Sequence, residues 1–171
     1  FIGSKEQPQA KIWLNTQSWS VISGMGDREK SEKAMASVKK YLDTDLGIKK
    51  IDPSMKDYPS AEDPLTYYNK GCGENGSVFC HANTWAIIAE CMLGNGDAAY
   101  KYYHQLLPMV AQEKAGEWRY KAEPYVYASN IFGPESDKFG LANVSWLTGT
   151  AAWMYIAITQ HILGIKPTWE G

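Results

Sequence analysis

Residues 81–93 constrain the fold of this chain most, because the helix that they predict carries apolar side chains on nearly every face. A helix of this kind has no side to offer to water, so other elements must surround it. Residues 27–42 instead predict an amphipathic helix, with apolar side chains at three- and four-residue spacing and Lys and Glu between them. Buried helices covered by amphipathic ones predict two concentric layers, as in an α/α toroid with a site at one mouth.

Further helices follow along the chain, and the sequence predicts them over residues 16–23, 97–107 and 146–163. Asp27 and Asp97 are expected to cap the helices that they begin, and Asn143 or Ser145 to cap the last one. Tyr100 is expected on the inner face of the helix over residues 97–107. The chain has no fixed internal period, which argues against a solenoid of stacked repeats.

Two long connectors separate these helices. Residues 43–75 are rich in Pro, Gly and Asp, with a short strand expected near residues 48–51, and residues 111–140 include an extended aromatic stretch at 123–130. Connectors of this length in a compact protein are usually functional. We therefore predict an all-α fold with long loops, in which the loops carry the site.

Polar side chains are crowded directly ahead of the buried helix, among them Glu74, Asn75 and His81. Polar groups at the mouth of a buried helix are costly to desolvate unless a partner pairs with them. A loop held in place by a rigid helix is a usual construction of a binding site. The alternative is that Glu74 and Asn75 only cap the helix that follows.

A second polar group begins the last predicted helix, where Thr148, Gly149 and Thr150 follow one another. Free N–H groups at a helix start favour an anion, two hydroxyls add donors, and glycine lets a ligand approach the backbone. Phosphate or sulfate is the natural occupant, and His81 can donate to it as well. The alternative is that the two threonines only satisfy local backbone groups.

The overall composition excludes several classes of function. Asp and Glu number 19 against 17 Lys and Arg, giving a net charge of −2 without a basic patch, so we expect no nucleic-acid partner. The three cysteines lack zinc spacing, so we expect no metal. Their odd number argues against a disulfide framework, and we therefore expect the protein in the reducing cytoplasm. Seven Trp and eleven Tyr serve either as core or as stacking platforms for sugars. Both ends look cut, so we expect a piece of a longer protein. We also expect no membrane partner.

Several motifs taken together are more specific than any single residue. They are residues 14–24 (LNTQSWSVISG), 74–76 (ENG), 79–81 (FCH), 123–127 (EPYVY) and 145–153 (SWLTGTAAW). In this order they resemble the inverting disaccharide phosphorylases of glycoside hydrolase family 94, the cellobiose and N,N′-diacetylchitobiose phosphorylases. The resemblance spans nearly the whole chain.

The resemblance implies an (α/α)₆ barrel, of which residues 1–171 form the C-terminal half, with the other domains of a multidomain enzyme outside this chain. It implies phosphorolysis, in which inorganic phosphate attacks the anomeric carbon while an Asp protonates the leaving oxygen. That general acid is expected upstream, so no catalytic residue is assigned here. The expected co-substrate is inorganic phosphate, no cofactor is expected, and we expect a cytoplasmic homodimer.

The resemblance also assigns residues. His81, Thr148 and the backbone of Gly149 are expected to hold the phosphate, and Glu74 to contact sugar hydroxyls. Ser129 stands where a cellobiose phosphorylase has a Gln that contacts the donor sugar, and Gly73 where it has a Lys. Both differences alter the pocket, so the predicted substrate is a β-linked disaccharide of the cellobiose, cellobionate or N,N′-diacetylchitobiose type.

Two alternatives stay open. One is a non-catalytic α/α toroid that binds oligosaccharide or a protein partner. The other is an inverting hydrolase of the same fold, which needs a second carboxylate to activate water, a role that Glu74 can fill. Half a toroid exposes its inner helices, so the isolated chain is predicted to be insoluble or unfolded.

Overall fold

The computed structural model describes residues 4–55 and 69–170. Part of the predicted connector, residues 56–68, and the chain ends, residues 1–3 and 171, lie outside this range. Helices dominate, and their bounds are α1 Leu14–Ile22, α2 Arg28–Tyr41, α3 Cys80–Leu93, α4 Gly96–Leu106, α5 Pro108–Ala115, α6 Glu117–Tyr120 and α7 Thr150–Ile156, which continues as a π-helical segment Ala157–Ile162. The strands are β1 Ile12–Trp13, β2 Asp43–Thr44, β3 Gly47–Ile48, β4 Ile51–Asp52, β5 Val78–Phe79, β6 Ala128–Ile131 and β7 Ala142–Ser145.

Helix α3 is the centre of the fold. It packs against α1, α2, α4, α7 and the π-helical segment, and ten of its fourteen residues are buried. Gly94 ends it in the left-handed conformation, which a glycine adopts without steric cost. The prediction of a helix buried on nearly every side is confirmed, and its start is one residue from the predicted one.

Helix α2 has the amphipathic character that the sequence predicts. Met35 and Val38 face the core, and the Asp27 side chain accepts from the Lys30 N–H at 2.8 Å as an N-cap. Helix α4 differs from its prediction, because Asp97 lies inside its first turn and makes no cap. Tyr100 is 60% exposed, while Tyr102 fills the inner face.

The first helix begins two residues earlier than predicted. Strand β1 pairs with β4 in the register Trp13↔Ile51, and the Leu14 N–H donates to the Lys50 carbonyl at 2.9 Å. This pairing ends the strand directly at Leu14, and the helix starts there. A local reading of capping residues does not detect such a distant partner.

The last helix begins four residues later than predicted. Residues 142–145 form β7, which pairs with β6 in the register Asn130↔Asn143. Val144 and Trp146 adopt positive φ angles of 53° and 70°, which a right-handed helix does not permit. Asn143 and Ser145 are therefore strand residues and not helix caps.

The predicted connector over residues 111–140 contains regular structure. Pro108 does not merely end α4, because it occupies the first turn of α5, where its missing N–H has no cost. The aromatic stretch ends in β6, the middle strand of an antiparallel sheet in the order β5-β6-β7. The chain is therefore mainly helical but not all-α.

Two further findings concern the described residues alone. No helix there combines the length and apolar character needed to cross a lipid bilayer. No group of three or more His, Cys, Asp or Glu side chains in these ranges is arranged to hold a metal ion.

Candidate functional site

The three-stranded sheet brings the two predicted polar groups together. Strand β5 leads directly into α3, and β7 leads through residues 146–149 into α7. Strand β6 pairs with both, in the registers Phe79↔Asn130 and Ala128↔Ser145. The starts of α3 and α7 are therefore neighbours, although about seventy residues separate them along the chain.

His81 and Gly149 are in direct contact at this point. A Cβ atom added to Gly149 would lie 2.6 Å from His81 Cε1 and 2.9 Å from Nδ1, well inside normal contact distance. Gly149 has an ordinary negative φ of −77°, so space and not backbone conformation requires glycine here. The imidazole lies against the backbone that precedes α7.

The His81 imidazole has a nitrogen without a partner. Its Nε2 atom is buried and finds no hydrogen-bond partner among the described residues. The rings of Trp85 and Trp153 flank it, at centroid distances of 4.8 and 6.2 Å. Burial lowers the pKa of His81, and the charge of Lys50 lowers it further, so the ring is neutral at pH 7. A neutral imidazole keeps one N–H donor, and an unsatisfied buried nitrogen indicates a missing partner.

Thr148 and Thr150 bond to each other. Their hydroxyl oxygens are 2.6 Å apart, and the Thr150 N–H donates to Thr148 Oγ1 at 3.2 Å. Thr150 is fully buried, whereas Thr148 is partly exposed. Part of the local alternative therefore holds, because one N–H at the start of α7 is satisfied within the chain. Thr148 remains beside the Gly149 backbone that contacts His81.

Glu74 forms an ion pair with Lys50 and leaves about one-third of its side chain exposed. The Lys50 side chain is only 11% exposed, and its ammonium lies 4.3 Å from the centre of the Phe79 ring. Lys50 is a residue that the sequence prediction missed. The one available signal was a lysine pair, Lys49 and Lys50, placed between two buried isoleucines.

The loop that carries Glu74 is held firmly. The Asn75 side chain accepts from the Met55 N–H at 2.7 Å and donates to the Met55 carbonyl at 2.8 Å. Gly76 has a φ of 89°, and a side chain there would collide with the Ser54 hydroxyl. Asn75 is therefore structural, and the loop presents Glu74 from a fixed backbone.

Ser129 lies in the middle of β6, partly buried, on the strand that joins the two helix starts. Among the described residues, its hydroxyl makes no hydrogen bond to another side chain or to the backbone. Its neighbour Asn130 has a buried Oδ1 atom that also lacks a partner there, a polar group that the sequence prediction did not single out. Gly73 adopts a positive φ of 49° at the turn before Glu74.

Chemically, the arrangement offers an imidazole, which can donate a hydrogen bond, and a carboxylate, which can accept hydrogen bonds. His81 contacts the backbone of Gly149, and Lys50, the partner of Glu74, contacts the ring of Phe79, which lies two positions before His81 in the chain. Two cavities of about 560 and 570 Å³ lie away from these residues, one beside Tyr41 and one beside Trp118. His81 lines neither of these two cavities.

The chain matches a known family over almost its whole length. The family described as "Glycosyl hydrolase 94 superfamily, catalytic domain" matches residues 1–164. A solabiose phosphorylase from Paenibacillus borealis is 33% identical, covering 99% of this chain and 22% of that protein. Two N,N′-diacetylchitobiose phosphorylases are also similar. That of Vibrio proteolyticus is 37% identical, covering 99% of this chain and 21% of that protein. That of Vibrio furnissii is 39% identical, covering 96% of this chain and 20% of that protein. The chain thus spans about a fifth of the length of these relatives.

Proposed function

The chain belongs to the Glycosyl hydrolase 94 superfamily, catalytic domain, and on that premise we propose that it is the phosphate-holding part of an inverting disaccharide phosphorylase. The whole enzyme cleaves a β-linked disaccharide with inorganic phosphate and releases an α-sugar 1-phosphate and a free sugar. The relatives of similar sequence are named as phosphorylases of disaccharides, which supports this reaction type.

One observation carries the proposal: a buried imidazole nitrogen of His81 has no partner among the described residues and lies against the backbone of Gly149. A phosphate oxygen is the partner that this nitrogen lacks. The missing side chain at Gly149 lets the His81 ring lie against this backbone, and Thr148 precedes Gly149 in the chain. Fixed donors that need no reorganisation stabilise an oxyanion far better than water does.

In the proposed reaction, a phosphate oxygen attacks the anomeric carbon from the face opposite the glycosidic bond. The carbon–oxygen bond to the second sugar breaks, and a general-acid Asp outside this chain gives a proton to the leaving oxygen. His81, Thr148 and Gly149 hold the phosphate in line, which lowers the entropic part of the barrier. Glu74 accepts hydrogen bonds from sugar hydroxyls, and Ser129 contributes to the pocket of the donor sugar.

The architecture that fits this function is the C-terminal half of an (α/α)₆ barrel. Large apolar side chains are exposed in and around α7, among them Trp146 at 69%, Tyr155 at 70% and Leu163 at 61%. Such surfaces need cover, and we assign the remaining part of the same enzyme as that cover. We further infer a cytoplasmic homodimer that uses phosphate as co-substrate and no cofactor or metal, with no nucleic-acid or membrane partner. Three free thiols and a net charge of −2 fit this assignment.

The substrate is a disaccharide of the cellobiose, cellobionate or N,N′-diacetylchitobiose type. Ser129 and Gly73 both place small side chains where the cellobiose enzymes have larger ones, which favours a donor or acceptor with an additional group. The relatives at 37% and 39% identity are named for N,N′-diacetylchitobiose. This favours an N-acetylated sugar among the three.

The test uses the full-length enzyme and each disaccharide, with and without inorganic phosphate, and measures sugar 1-phosphate. We expect phosphate-dependent formation of an α-sugar 1-phosphate. The His81→Ala variant should lose it, whereas His104→Ala, an exposed histidine on α4, should keep it. Release of two free sugars without phosphate would indicate a hydrolase, and binding without cleavage would indicate a non-catalytic module. Either result would overturn the proposal.

A further inference from the structure

A buried ammonium group is paired with one residue of the candidate site. Lys50 is only 9% exposed as a whole residue, and a buried charge is costly unless it is paired. Its ammonium pairs with the Glu74 carboxylate and lies over the Phe79 ring at 4.3 Å. Phe79 is the last residue of β5 and is separated from His81 by one residue.

Two backbone hydrogen bonds fix the position from which the Lys50 side chain extends. The Lys50 N–H donates to the Ser77 carbonyl at 2.8 Å, and the Lys50 carbonyl accepts from the Leu14 N–H at 2.9 Å. Lys50 is thereby tied to the chain between Glu74 and His81 on one side and to α1 on the other. The side chain that extends from this position is only 11% exposed.

We propose that Lys50 is a positioning residue of the phosphorolysis reaction: it fixes the Glu74 carboxylate for the sugar and places a positive charge over Phe79, two positions before the histidine that holds the phosphate. This rests on the proposed function. Three observations support this role: Lys50 pairs with Glu74, its ammonium contacts the Phe79 ring, and its side chain is buried. The positive charge of Lys50 also lowers the pKa of His81, which agrees with it.

The neighbouring lysine provides a matched comparison. Lys49 is also 9% exposed and also forms an ion pair, but its partner is Asp52, three residues along the chain. The charge of Lys49 therefore stabilises the turn around β4. Two adjacent lysines of equal burial thus differ in the partner that each one holds, and only the pair made by Lys50 includes a residue of the candidate site.

Loss of the Lys50 charge has two expected effects in the full-length enzyme. The Glu74 carboxylate loses its fixed partner and turns toward water, and the phosphate dianion loses an attraction. We expect Lys50→Met to lower kcat/KM for phosphorolysis roughly 10²-fold, the usual effect of misplacing a positioned group by about 1 Å. The KM for phosphate should rise, and Lys50→Arg, which keeps the charge, should recover most of the activity.

The pH profile separates this role from a merely structural one. In the described part of the chain, Lys50 is the charged residue that acts on the His81 pKa, while Trp85, Trp153 and the Gly149 backbone surround the ring. Removing the positive charge raises that pKa, so the limb of the phosphate KM–pH profile that reports His81 protonation should move to higher pH in Lys50→Met. Glu74→Gln, which is nearly isosteric, leaves the Lys50 charge uncompensated and should move that limb to lower pH.

The experiment compares Lys50→Met, Lys50→Arg, Lys49→Met and Glu74→Gln by steady-state kinetics across pH and by thermal melting. Lys49→Met should match Lys50→Met in melting temperature but keep the wild-type KM for phosphate and the wild-type limb. Equal kinetic losses in both Met variants, or an unmoved limb in Glu74→Gln, would overturn the role of Lys50. A wild-type enzyme without phosphate-dependent cleavage would instead refute the proposed function itself. Should Lys50→Met not fold, the Arg and Gln variants decide.

Discussion

Gly149→Ala tests the contact between the His81 ring and the start of α7. The added Cβ atom would lie 2.6 Å from His81 Cε1, whereas two carbon atoms in contact are about 3.5 to 4.0 Å apart. The ring must therefore move by about 1 Å, and Trp85 and Trp153 obstruct that movement. Overpacking of this kind costs about 1–3 kcal/mol. A displacement of about 1 Å in a positioned group lowers activity by about 10²-fold.

The assay is steady-state phosphorolysis by the full-length enzyme at varied phosphate concentration. Gly149→Ala is expected to raise the KM for phosphate and to lower kcat/KM by about two orders of magnitude. Gly96→Ala is the control, since a Cβ atom at Gly96 would meet nothing within 4 Å and its φ is ordinary. Wild-type phosphate kinetics in Gly149→Ala would refute the argument that this contact shapes the phosphate site.

Three further predictions concern the core and the chain as a whole. Asn83→Ala leaves the buried Ile48 N–H and the Ile48 and Phe79 carbonyls without their side-chain partner. We expect the free energy of unfolding, measured with urea, to fall by about 3 kcal/mol. A fall below about 1 kcal/mol would contradict this prediction. Burial raises the pKa of Glu90, although the Asn95 side chain donates a hydrogen bond to its carboxylate. The folded state therefore binds a proton more tightly than the unfolded state. The stability of the fold should fall as the pH rises from the usual carboxyl pKa through the raised one. Glu90→Gln should flatten that slope in melting curves, and an unchanged slope would count against it. Expressed alone, the chain should show no cooperative monomeric melt, because apolar surface around α7 stays uncovered.

The elements that the sequence predicts well are those whose evidence is local. Residues 81–93 carry an apolar pattern that no exposed helix tolerates, and α3 is buried accordingly. Asp27 precedes an amphipathic pattern and caps α2 as expected. In both cases, periodicity and capping chemistry within one turn are sufficient.

The errors arise where distant pairing decides the structure. The start of the last helix is wrong because β7 pairs with β6, and the local pattern of Ser145 and Trp146 does not reveal that strand. The prediction that Tyr100 lies on the inner face of α4 is wrong, because helical spacing alone does not locate the core, and Ala99 and Tyr102 occupy that face. These outcomes depend on contacts that spacing does not encode.

The candidate site shows the same division. The residue types of Glu74, His81 and Gly149 suit a sugar or an anion, and their roles remain predictions. Residue chemistry and the resemblance of the motifs both group His81 with Gly149, and the structure supplies the contact between them. The sequence does not predict a role for Lys50, because a lysine in a loop is expected to be exposed to solvent. The fold shows that it is buried and paired with Glu74.

The most direct test of the account is the structure of the full-length enzyme crystallised with inorganic phosphate. We expect a bound phosphate that accepts a hydrogen bond from the His81 imidazole. It should lie against the backbone of Gly149, within hydrogen-bond distance of the Thr148 hydroxyl. A saturating phosphate bound elsewhere, with the His81 nitrogen still unpaired, would contradict it.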